Sequence, residues 1–184
     1  MTYLWIGLAV VVVLVVVAYN SLAQLRNLVK NAWADIDVYL KRRADLIPNL
    51  VETTKAYSGF ERDTLESVTQ ARAEAMSAGS QPAARAEAEN KLANRVHQLI
   101  AIAETYPELK ASSQYLRLQE ELSEAEDKIS YARQYYNAAV RDFNTTIDRF
   151  PQNIVASTFG FKRAEFFSLD EPGQRETPKA NLDQ

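Results

Sequence analysis

The sequence of 184 residues contains no cysteine and a single histidine, and these two shortages exclude several classes of site. Without cysteine the chain has no disulfide, no thiolate ligand for zinc and no cysteine nucleophile. A carboxylate-bridged di-iron centre needs paired Glu-x-x-His motifs, whereas Asn94 stands three residues before His97. Neither a phosphate-binding GxxxxGK[ST] loop nor a GxSxG nucleophile elbow occurs. The sequence therefore predicts a protein that is not an enzyme and that needs no metal or cofactor.

Basic clusters and helix-breaking residues are also scarce. The net charge is −3 and no block of lysine and arginine is present, which argues against nucleic acid as a partner. The chain has five glycines and six prolines, and most of them separate helical patterns. They divide the soluble part into long segments at 20–57 and 109–149 and shorter segments at 60–78 and 83–105. At this length we expect a single helical domain.

Residues 1–20 contain the longest apolar run of the chain. No charged side chain lies between Tyr3 and Tyr19, and a helix of about 17–25 apolar residues can cross a hydrocarbon core of about 30 Å. Tyr3, Trp5 and Tyr19 lie near the ends of the run, where aromatic rings favour the headgroup region. A cleaved signal peptide is the alternative, because residues 21–23 form a small-x-small triplet, but no basic residue precedes the run. We expect a transmembrane anchor.

Basic residues follow the apolar run but do not precede it. The first ones after the run are Arg26, Lys30, Lys41, Arg42 and Arg43. The positive-inside rule therefore predicts that the N-terminus lies outside the cell and that the rest of the chain is cytoplasmic.

The two long segments share an apolar repeat of about 3.5 residues, from Leu22 to Tyr57 and from Tyr115 to Phe150. Equal repeats favour side-by-side packing at about 20°. At about 1.5 Å per residue, the short segments cover only half the length of the long ones. The sequence therefore predicts an all-α fold, in which a transmembrane helix is followed by an elongated antiparallel four-helix bundle over 21–150. Its two long and two short helices form a four-helix head on a two-helix stalk.

The segment after the bundle, residues 151–167, is rich in phenylalanine and has two interpretations. It is either a strap in the groove between the long helices or an interfacial element whose rings reach the headgroup region. The membrane-contact candidates in the second case are Phe159, Phe161, Phe166 and Phe167. Residues 168–184 contain almost no apolar side chain, so we expect a disordered tail.

A polar cluster interrupts the first long segment. Arg43 occupies a core position of the heptad, and Pro48 lies inside the helical pattern, where a kink is expected. A buried charge must be paired, and the candidates on the second long segment are Glu124, Glu126 and Asp127. The cluster is either an ion pair that fixes helix register or a docking or ligand site exposed at the kink. The residues of this candidate site are Arg42, Arg43, Asp45, Pro48 and Asn49.

The residues around this cluster resemble the signature of the LemA family. The first block is NAWADIDVYLKRRADLIPNLVET at 31–53. The later blocks are LESVTQAR at 65–72, ARQYYNAAV at 132–140, Phe150-Pro151 and Gly160-Phe161. The similarity extends in order over residues 1–167.

This resemblance implies a bacterial protein with one N-terminal membrane helix, a helical bundle and no established catalytic residues. Some LemA-like proteins are associated with membrane proteases of the HtpX type, and one branch takes part in magnetosome membranes. We therefore expect a single-pass protein of the bacterial inner membrane that acts as a scaffold. Its expected partners are the lipid bilayer and further copies of the chain. The alternative is an adaptor that handles substrates for a membrane protease.

Overall fold

A computed structural model describes residues 1–56 and 62–168, and these residues form six helices without a strand. The helices are α1 (Thr2–Lys55), α2 (Arg62–Ser77), α3 (Pro82–Ala103), α4 (Pro107–Lys110), α5 (Ser113–Asp148) and α6 (Gln152–Thr158). The expectation of an all-α fold is confirmed. The predicted tail lies outside the described residues, except for Ser168.

The helices differ from the prediction in three places. The anchor and the first bundle helix are one continuous helix, because α1 has 54 residues and passes through Pro48. A single turn, α4, precedes α5 where one long segment was expected. The third difference is α6, a helix of seven residues inside the segment that was expected to be a strap or an interfacial element.

α1 and α5 pack side by side in antiparallel directions and form the stalk. Arg43 contacts Glu126 and Trp33 contacts Tyr136, so residue numbers rise along one helix as they fall along the other. The core between them is apolar and fully closed to solvent at most positions. Its members from the two helices are Leu22, Val29, Ala32, Ile36, Leu40, Ile129, Tyr136, Ala139, Val140 and Phe143.

The head lies at the end of α1 that is far from the apolar run. α2 packs on α1 and on α3, and Gly79, with φ of 66°, lies in the turn between α2 and α3. Pro82 begins α3, a position where its missing N–H costs no helical hydrogen bond. The head core contains Ile47, Leu50, Leu65, Val68, Leu92, Val96, Leu99, Leu109, Tyr115 and Leu122.

The chain turns at two points after α5 and then runs antiparallel to it. Phe150 and Pro151, joined by a cis peptide bond, separate α5 from α6. After α6, Gly160 adopts a φ of 69°, and the Phe161 N–H donates to the Ala156 carbonyl at 2.9 Å. This is the pattern of a Schellman motif, in which glycine accepts the left-handed conformation without strain. It directs residues 161–167, called the strap below, back along the stalk.

Candidate functional site

The Arg43 side chain, 1% exposed, lies where the stalk meets the head and bridges three helices. Its two terminal nitrogens contact Glu89 Oε2 on α3 at 2.5 Å and Glu126 Oε1 on α5 at 2.6 Å. One of them also donates to the Glu89 carbonyl at 3.3 Å. The planar guanidinium fork suits this geometry because it presents several donors in fixed directions. Arg43 therefore connects α1, α3 and α5 through one buried group.

The charged state of Arg43 is maintained by its two partners. Burial by itself would lower the pKa of the guanidinium, but the carboxylates of Glu126 and Glu89 outweigh burial, so the pKa is raised above its ordinary value. Arg43 Nε makes no hydrogen bond to any of the described residues. Arg43 is thus a permanently charged group whose burial depends on both carboxylates.

A second arginine supports this network from α3. Arg85 Nε lies 3.0 Å from Glu89 Oε1, as an ion pair rather than a well-aligned hydrogen bond. The other end of the same guanidinium contacts Asp37 on α1 at 3.2 Å. Glu89 therefore lies between Arg43 and Arg85, which explains how a carboxylate that is 1% exposed stays paired. We refer to Asp37, Arg43, Arg85, Glu89 and Glu126 as the buried ion network.

Pro48 has its own partner in the head. Proline lacks the N–H that would bond to the carbonyl four residues before it, here Ala44. Arg72 Nε of α2 donates to that Ala44 carbonyl at 2.6 Å. The hydrogen bond that Pro48 removes from α1 is thus replaced by a contact between helices, and α2 is held against α1 at this point.

The structure brings together only part of the predicted polar cluster. Arg43 enters the network with Glu126, one of the three predicted partners, while Glu124 pairs with the exposed Arg42 at 3.4 Å. The network members that sequence reasoning missed are Glu89, Arg85 and Asp37. The other predicted cluster residues, Asp45, Pro48 and Asn49, are exposed on α1. Glu89 lies three residues before Leu92 and seven before Val96, on the buried stripe of α3, so its place in the helical repeat is the signal that could have identified it.

The strap holds two of the predicted membrane contacts inside the protein. Phe167 is fully buried against Trp33, with ring centroids 5.4 Å apart, and Phe161 is buried beside Tyr19 and Phe143. The structure therefore corrects the assignment of Phe161 and Phe167 to the membrane interface, because both rings fill the groove between α1 and α5. The remaining candidates, Phe159 and Phe166, are exposed.

Two asparagines of α5 clamp the strap backbone. Asn144 accepts from the Ala164 N–H at 2.8 Å and donates to the Ala164 carbonyl at 2.9 Å. Asn137 makes the same pair of bonds with Phe167, both at 3.0 Å. The Tyr136 hydroxyl donates to the Glu165 carbonyl at 2.8 Å. These side chains replace a neighbouring β-strand, so the extended strap has hydrogen-bond partners without a sheet.

Replacing Asn137 with leucine is expected to lower the free energy of unfolding by about 2 kcal/mol, since two hydrogen bonds are lost at about 1 kcal/mol each. Amide hydrogen exchange at Phe167 should accelerate, because its N–H is held only by Asn137. The Ala164 amide, held by Asn144, serves as the internal control. Asn137→Asp keeps the acceptor and should give an intermediate rate. Unchanged exchange at Phe167 would contradict the clamp.

Stability is expected to fall at high pH through Tyr136. Burial, with a smaller contribution from Glu165, raises the pKa of its phenol from 10.0 to about 12. Because folding raises this pKa, the contribution is complete below pH 10 and is lost as the pH rises through about 12. The melting temperature should therefore decline over that range, and more steeply in the native chain than in Tyr136→Phe. Equal slopes would show that Tyr136 carries no such linkage.

The N-terminal part of α1 presents an apolar surface to its surroundings. The helix is long and apolar enough to cross a membrane, with a mean hydropathy of 2.5 in its most apolar window. Tyr3 and Trp5 project from its beginning with 88% and 67% exposure. Tyr19, at the other end, contacts Phe159 with ring centroids 5.1 Å apart. The buried ion network and the strap both lie on the other side of Tyr19 from the apolar run, which is the side that carries the basic residues.

Comparison with protein families identifies this architecture. The model of the LemA family matches residues 32–181. The chain belongs to the LemA family. The buried ion network, the strap and both clamping asparagines fall within the matched residues, and the apolar part of α1 precedes them. As a LemA-family chain with this N-terminal helix, it is a membrane-associated protein.

Individual relatives are similar over most of the chain. Magnetosome protein MamQ 2 of Paramagnetospirillum magneticum is 28% identical over 180 residues, which cover 84% of this chain and 66% of that protein. Protein LemA of Metamycoplasma hominis is 29% identical over 152 residues, covering 83% and 69% of the two chains. Magnetosome protein MamQ of Magnetospirillum gryphiswaldense is 24% identical, covering 81% and 64%. This LemA-family chain thus spans 66% or less of the length of these MamQ proteins.

The geometry offers little that resembles an active centre. Among residues 1–56 and 62–168 no group of histidine and carboxylate side chains could hold a metal ion. The acidic residues of the buried ion network are paired with arginines. In this LemA-family chain the buried polar groups connect helices, and they give the stalk and the head a fixed relative position.

Proposed function

We propose that this chain is a non-enzymatic scaffold of the bacterial inner membrane, anchored by the apolar part of α1 and self-assembling through its stalk. The observation that carries the proposal is a pair of exposed tyrosines on α5. Tyr131 and Tyr135 are 72% and 54% exposed and lie one helical turn apart. Tyr131 is two positions beyond Ile129, which is buried against α1, and two positions turn a helix by about 200°. Tyr131 therefore lies on the side of α5 away from α1, and the exposed Tyr135 lies one turn further along, nearer the flank of the core stripe.

A second copy of the chain fits this face for a physical reason. The stalk consists of two helices, and within residues 1–56 and 62–168 the outer side of α5 is left exposed at Tyr131 and Tyr135. Tyrosine contributes a large contact area at interfaces and keeps a hydroxyl for a polar rim. Anchoring also confines copies to one plane with parallel stalks, which raises their effective concentration.

The connections between the helices and the similarity to magnetosome proteins also support a scaffold. The buried ion network and the clamped strap connect α1, α3 and α5, as a spacer of fixed length requires. Relatives of this chain carry the name magnetosome protein, which supports a role in organising a membrane.

The experiment is a comparison of assembly mass in mild detergent. The double variant Tyr131→Glu/Tyr135→Glu should reduce the mass of the assembly towards that of one chain while its helical circular dichroism is retained. Leu116→Glu is the matched control, because Leu116 is also an exposed apolar residue of α5, at 49% exposure. An unchanged assembly mass in the double variant would contradict an assembly contact at Tyr131 and Tyr135. An equal decrease in mass in Leu116→Glu would contradict it as well.

The proposed orientation places the bundle in the cytoplasm, supported by the basic residues after the apolar run. Because the chain has no cysteine, one introduced at the exposed Ser113, at the start of α5 and outside the proposed contact, is a unique label site. An impermeant maleimide should label it only after the cells are opened. Labelling in intact cells would place the bundle outside.

A groove between α1 and α2 favours the second candidate, an adaptor for a membrane protease. The groove has a volume of about 850 Å³ and mixes apolar and polar side chains, as a site for an extended client segment would. Its lining includes Val51, Lys55, Leu65, Glu66, Thr69 and Gln70. Thr69→Arg, which would fill the groove, should abolish co-purification of a protease or client without changing the assembly mass. A one-to-one complex that disappears in this variant would favour the adaptor over the scaffold.

A further inference from the structure

The turn between α5 and α6 packs against the apolar part of α1. An apolar gap of about 220 Å³ separates the two elements, and almost no polar surface faces it. The α1 side is formed by Val11, Leu14, Val15 and Ala18, and the α6 side by Pro151, Ile154 and Val155. The turn therefore lies beside residues that belong to the membrane-crossing run.

The depth of this contact follows from helix geometry. Val15 and Val11 lie four and eight residues before Tyr19. At about 1.5 Å per residue, they are about 6–12 Å further into the apolar run than Tyr19. A hydrocarbon core of about 30 Å requires nearly all of residues 1–19, so the bilayer must surround Val11 and Val15. An element packed on them lies in the same leaflet.

Two large apolar side chains project from the turn, beside the exposed polar residues Asn153 and Ser157. Phe150 is 76% exposed and Ile154 is 56% exposed. The apolar part of α1 beside the turn also carries exposed valines, such as Val12 and Val16, at 53% and 51% exposure. We propose that residues 150–158 insert into one leaflet of the bilayer as a wedge beside α1, with Phe150 and Ile154 in contact with acyl chains.

Several backbone and hydroxyl groups of the wedge have hydrogen-bond partners within the protein. In hydrocarbon every N–H and carbonyl must find a partner within the protein. The Asn153 N–H donates to the Arg149 carbonyl at 2.8 Å, and the Phe159 N–H to the Val155 carbonyl at 2.9 Å. The Ser157 and Thr158 hydroxyls both donate to the Ile154 carbonyl, at 2.9 and 2.8 Å. Both hydroxyls are thus paired inside the turn, as hydroxyl side chains are in membrane helices, whereas Gln152 Oε1 has no hydrogen-bond partner among the described residues.

Charged side chains lie where headgroups would meet the wedge. Arg26 lies over the Phe161 ring at 5.0 Å, one and a half to two turns beyond Tyr19 on the soluble side. Lys162 and Arg163 are exposed in the adjoining strap, and Arg163 contacts Asp148 at 3.0 Å. Lipid phosphates are the complementary groups for exposed lysine and arginine at this level. From the anchor towards the head, the protein presents the apolar wedge, then Tyr19 with Phe159, and then the basic side chains of Arg26, Lys162 and Arg163. This order matches the acyl chains, the interface and the headgroups of a bilayer leaflet.

The test measures depth with a nitroxide on single cysteines in the full chain, in vesicles of phosphatidylethanolamine and phosphatidylglycerol. The test site is Ile154→Cys, with Phe150→Cys as a second site. The references are Val12→Cys in the anchor and Met76→Cys in the head, both of exposure similar to that of Ile154, at 53% and 52% against 56%. Collision rates with oxygen, which concentrates in lipid, and with a water-soluble nickel chelate are measured by electron paramagnetic resonance.

The expected ratio of oxygen to nickel collisions at Ile154 is several-fold above that at Met76 and close to that at Val12. A ratio equal to that of Met76, with Val12 in lipid, would place the turn in water and overturn the wedge alone. Low collision with both reagents would show that protein covers Ile154, which also overturns it. Access of nickel to Val12 would refute the anchor itself, so this failure is distinguishable from the others.

Discussion

Replacing Arg43 with alanine is expected to lower the free energy of unfolding by about 3–5 kcal/mol, because it leaves the buried Glu89 and the partly exposed Glu126 without their shared partner. Glu89 is 1% exposed and loses its contact at 2.5 Å, while Glu126 loses one at 2.6 Å. Arg85 remains beside Glu89 at 3.0 Å, so Glu89 keeps one partner. The loss in the free energy of unfolding is therefore smaller than it would be for two unpaired carboxylates. Urea denaturation of the full chain in detergent measures the effect.

The neighbouring arginine provides the matched control. Arg42 pairs with Glu124 at 3.4 Å, but the two side chains are 48% and 52% exposed. Exposed pairs contribute about 0–1 kcal/mol, so Arg42→Ala should change stability little. Arg43→Lys should lie between the two, because one ammonium group does not reproduce the planar fork that reaches α3 and α5. Equal losses in Arg42→Ala and Arg43→Ala would contradict the buried ion network.

Replacing Phe167 with alanine is expected to cost about 3–5 kcal/mol, the range for a fully buried phenylalanine. Its ring is closed to solvent and meets the edge of Trp33 at 5.4 Å between centroids. Truncation would leave a cavity at the end of the strap beside Asn137, where the clamp holds the backbone of the same residue. Trp33 fluorescence should shift to longer wavelength as water reaches the indole.

Phe166 is the control for this substitution, since it is the adjacent residue with the same side chain. It is 45% exposed, so Phe166→Ala should lower stability by less than about 1 kcal/mol. The two phenylalanines together test which side of the strap faces the stalk. A larger loss for Phe166 than for Phe167 would reverse the assigned orientation.

The long helices could be predicted from sequence because their apolar repeats extend over many turns. An apolar repeat of about 3.5 residues fits one face of a helix and does not fit the two-residue alternation of a strand. Gly79 and Pro82 mark the turn between the shorter helices. Arg43 could also be predicted as an unusual residue, because a charge on the apolar face of a helix requires a partner. Glu126 was among the three candidates, since the antiparallel register of two long helices limits the choice.

Glu89, Arg85 and Asp37 could not be predicted in the same way. Their role depends on how α3 is placed against the stalk, and helix placement follows from tertiary packing rather than from local propensity. Glu89 shares the buried stripe of α3 with Leu92 and Val96, but the stripe alone does not show that Arg43 of α1 faces it. The three-helix connection is therefore a property of the assembled fold.

The aromatic segment shows a second limit of sequence reasoning. Spacing alone allowed either a strap or a membrane-facing element for residues 151–167. The structure divides the segment, because Gly160 reverses the chain after α6 and directs Phe161 and Phe167 into the groove. Asn137 and Asn144 secure that path through side-chain bonds that no apolar pattern encodes. The part before Gly160 lies against the apolar run of α1 and carries the proposed wedge.

These features together describe a stiff stalk attached to a membrane at one end and bearing a helical head at the other. The buried ion network fixes the head, the clamped strap fills the stalk groove, and the exposed face of α5 is available for a second copy. In this account the chain acts through its shape and its contacts, and its membership of the LemA family agrees with a membrane location.

The most direct test of the account is the mass of the full chain extracted in mild detergent, measured beside residues 24–184 alone by light scattering. The account predicts a defined assembly of several chains for the full-length protein and a smaller species once the anchor is removed. A single chain in both preparations would contradict self-assembly and would leave the protease adaptor as the function to pursue.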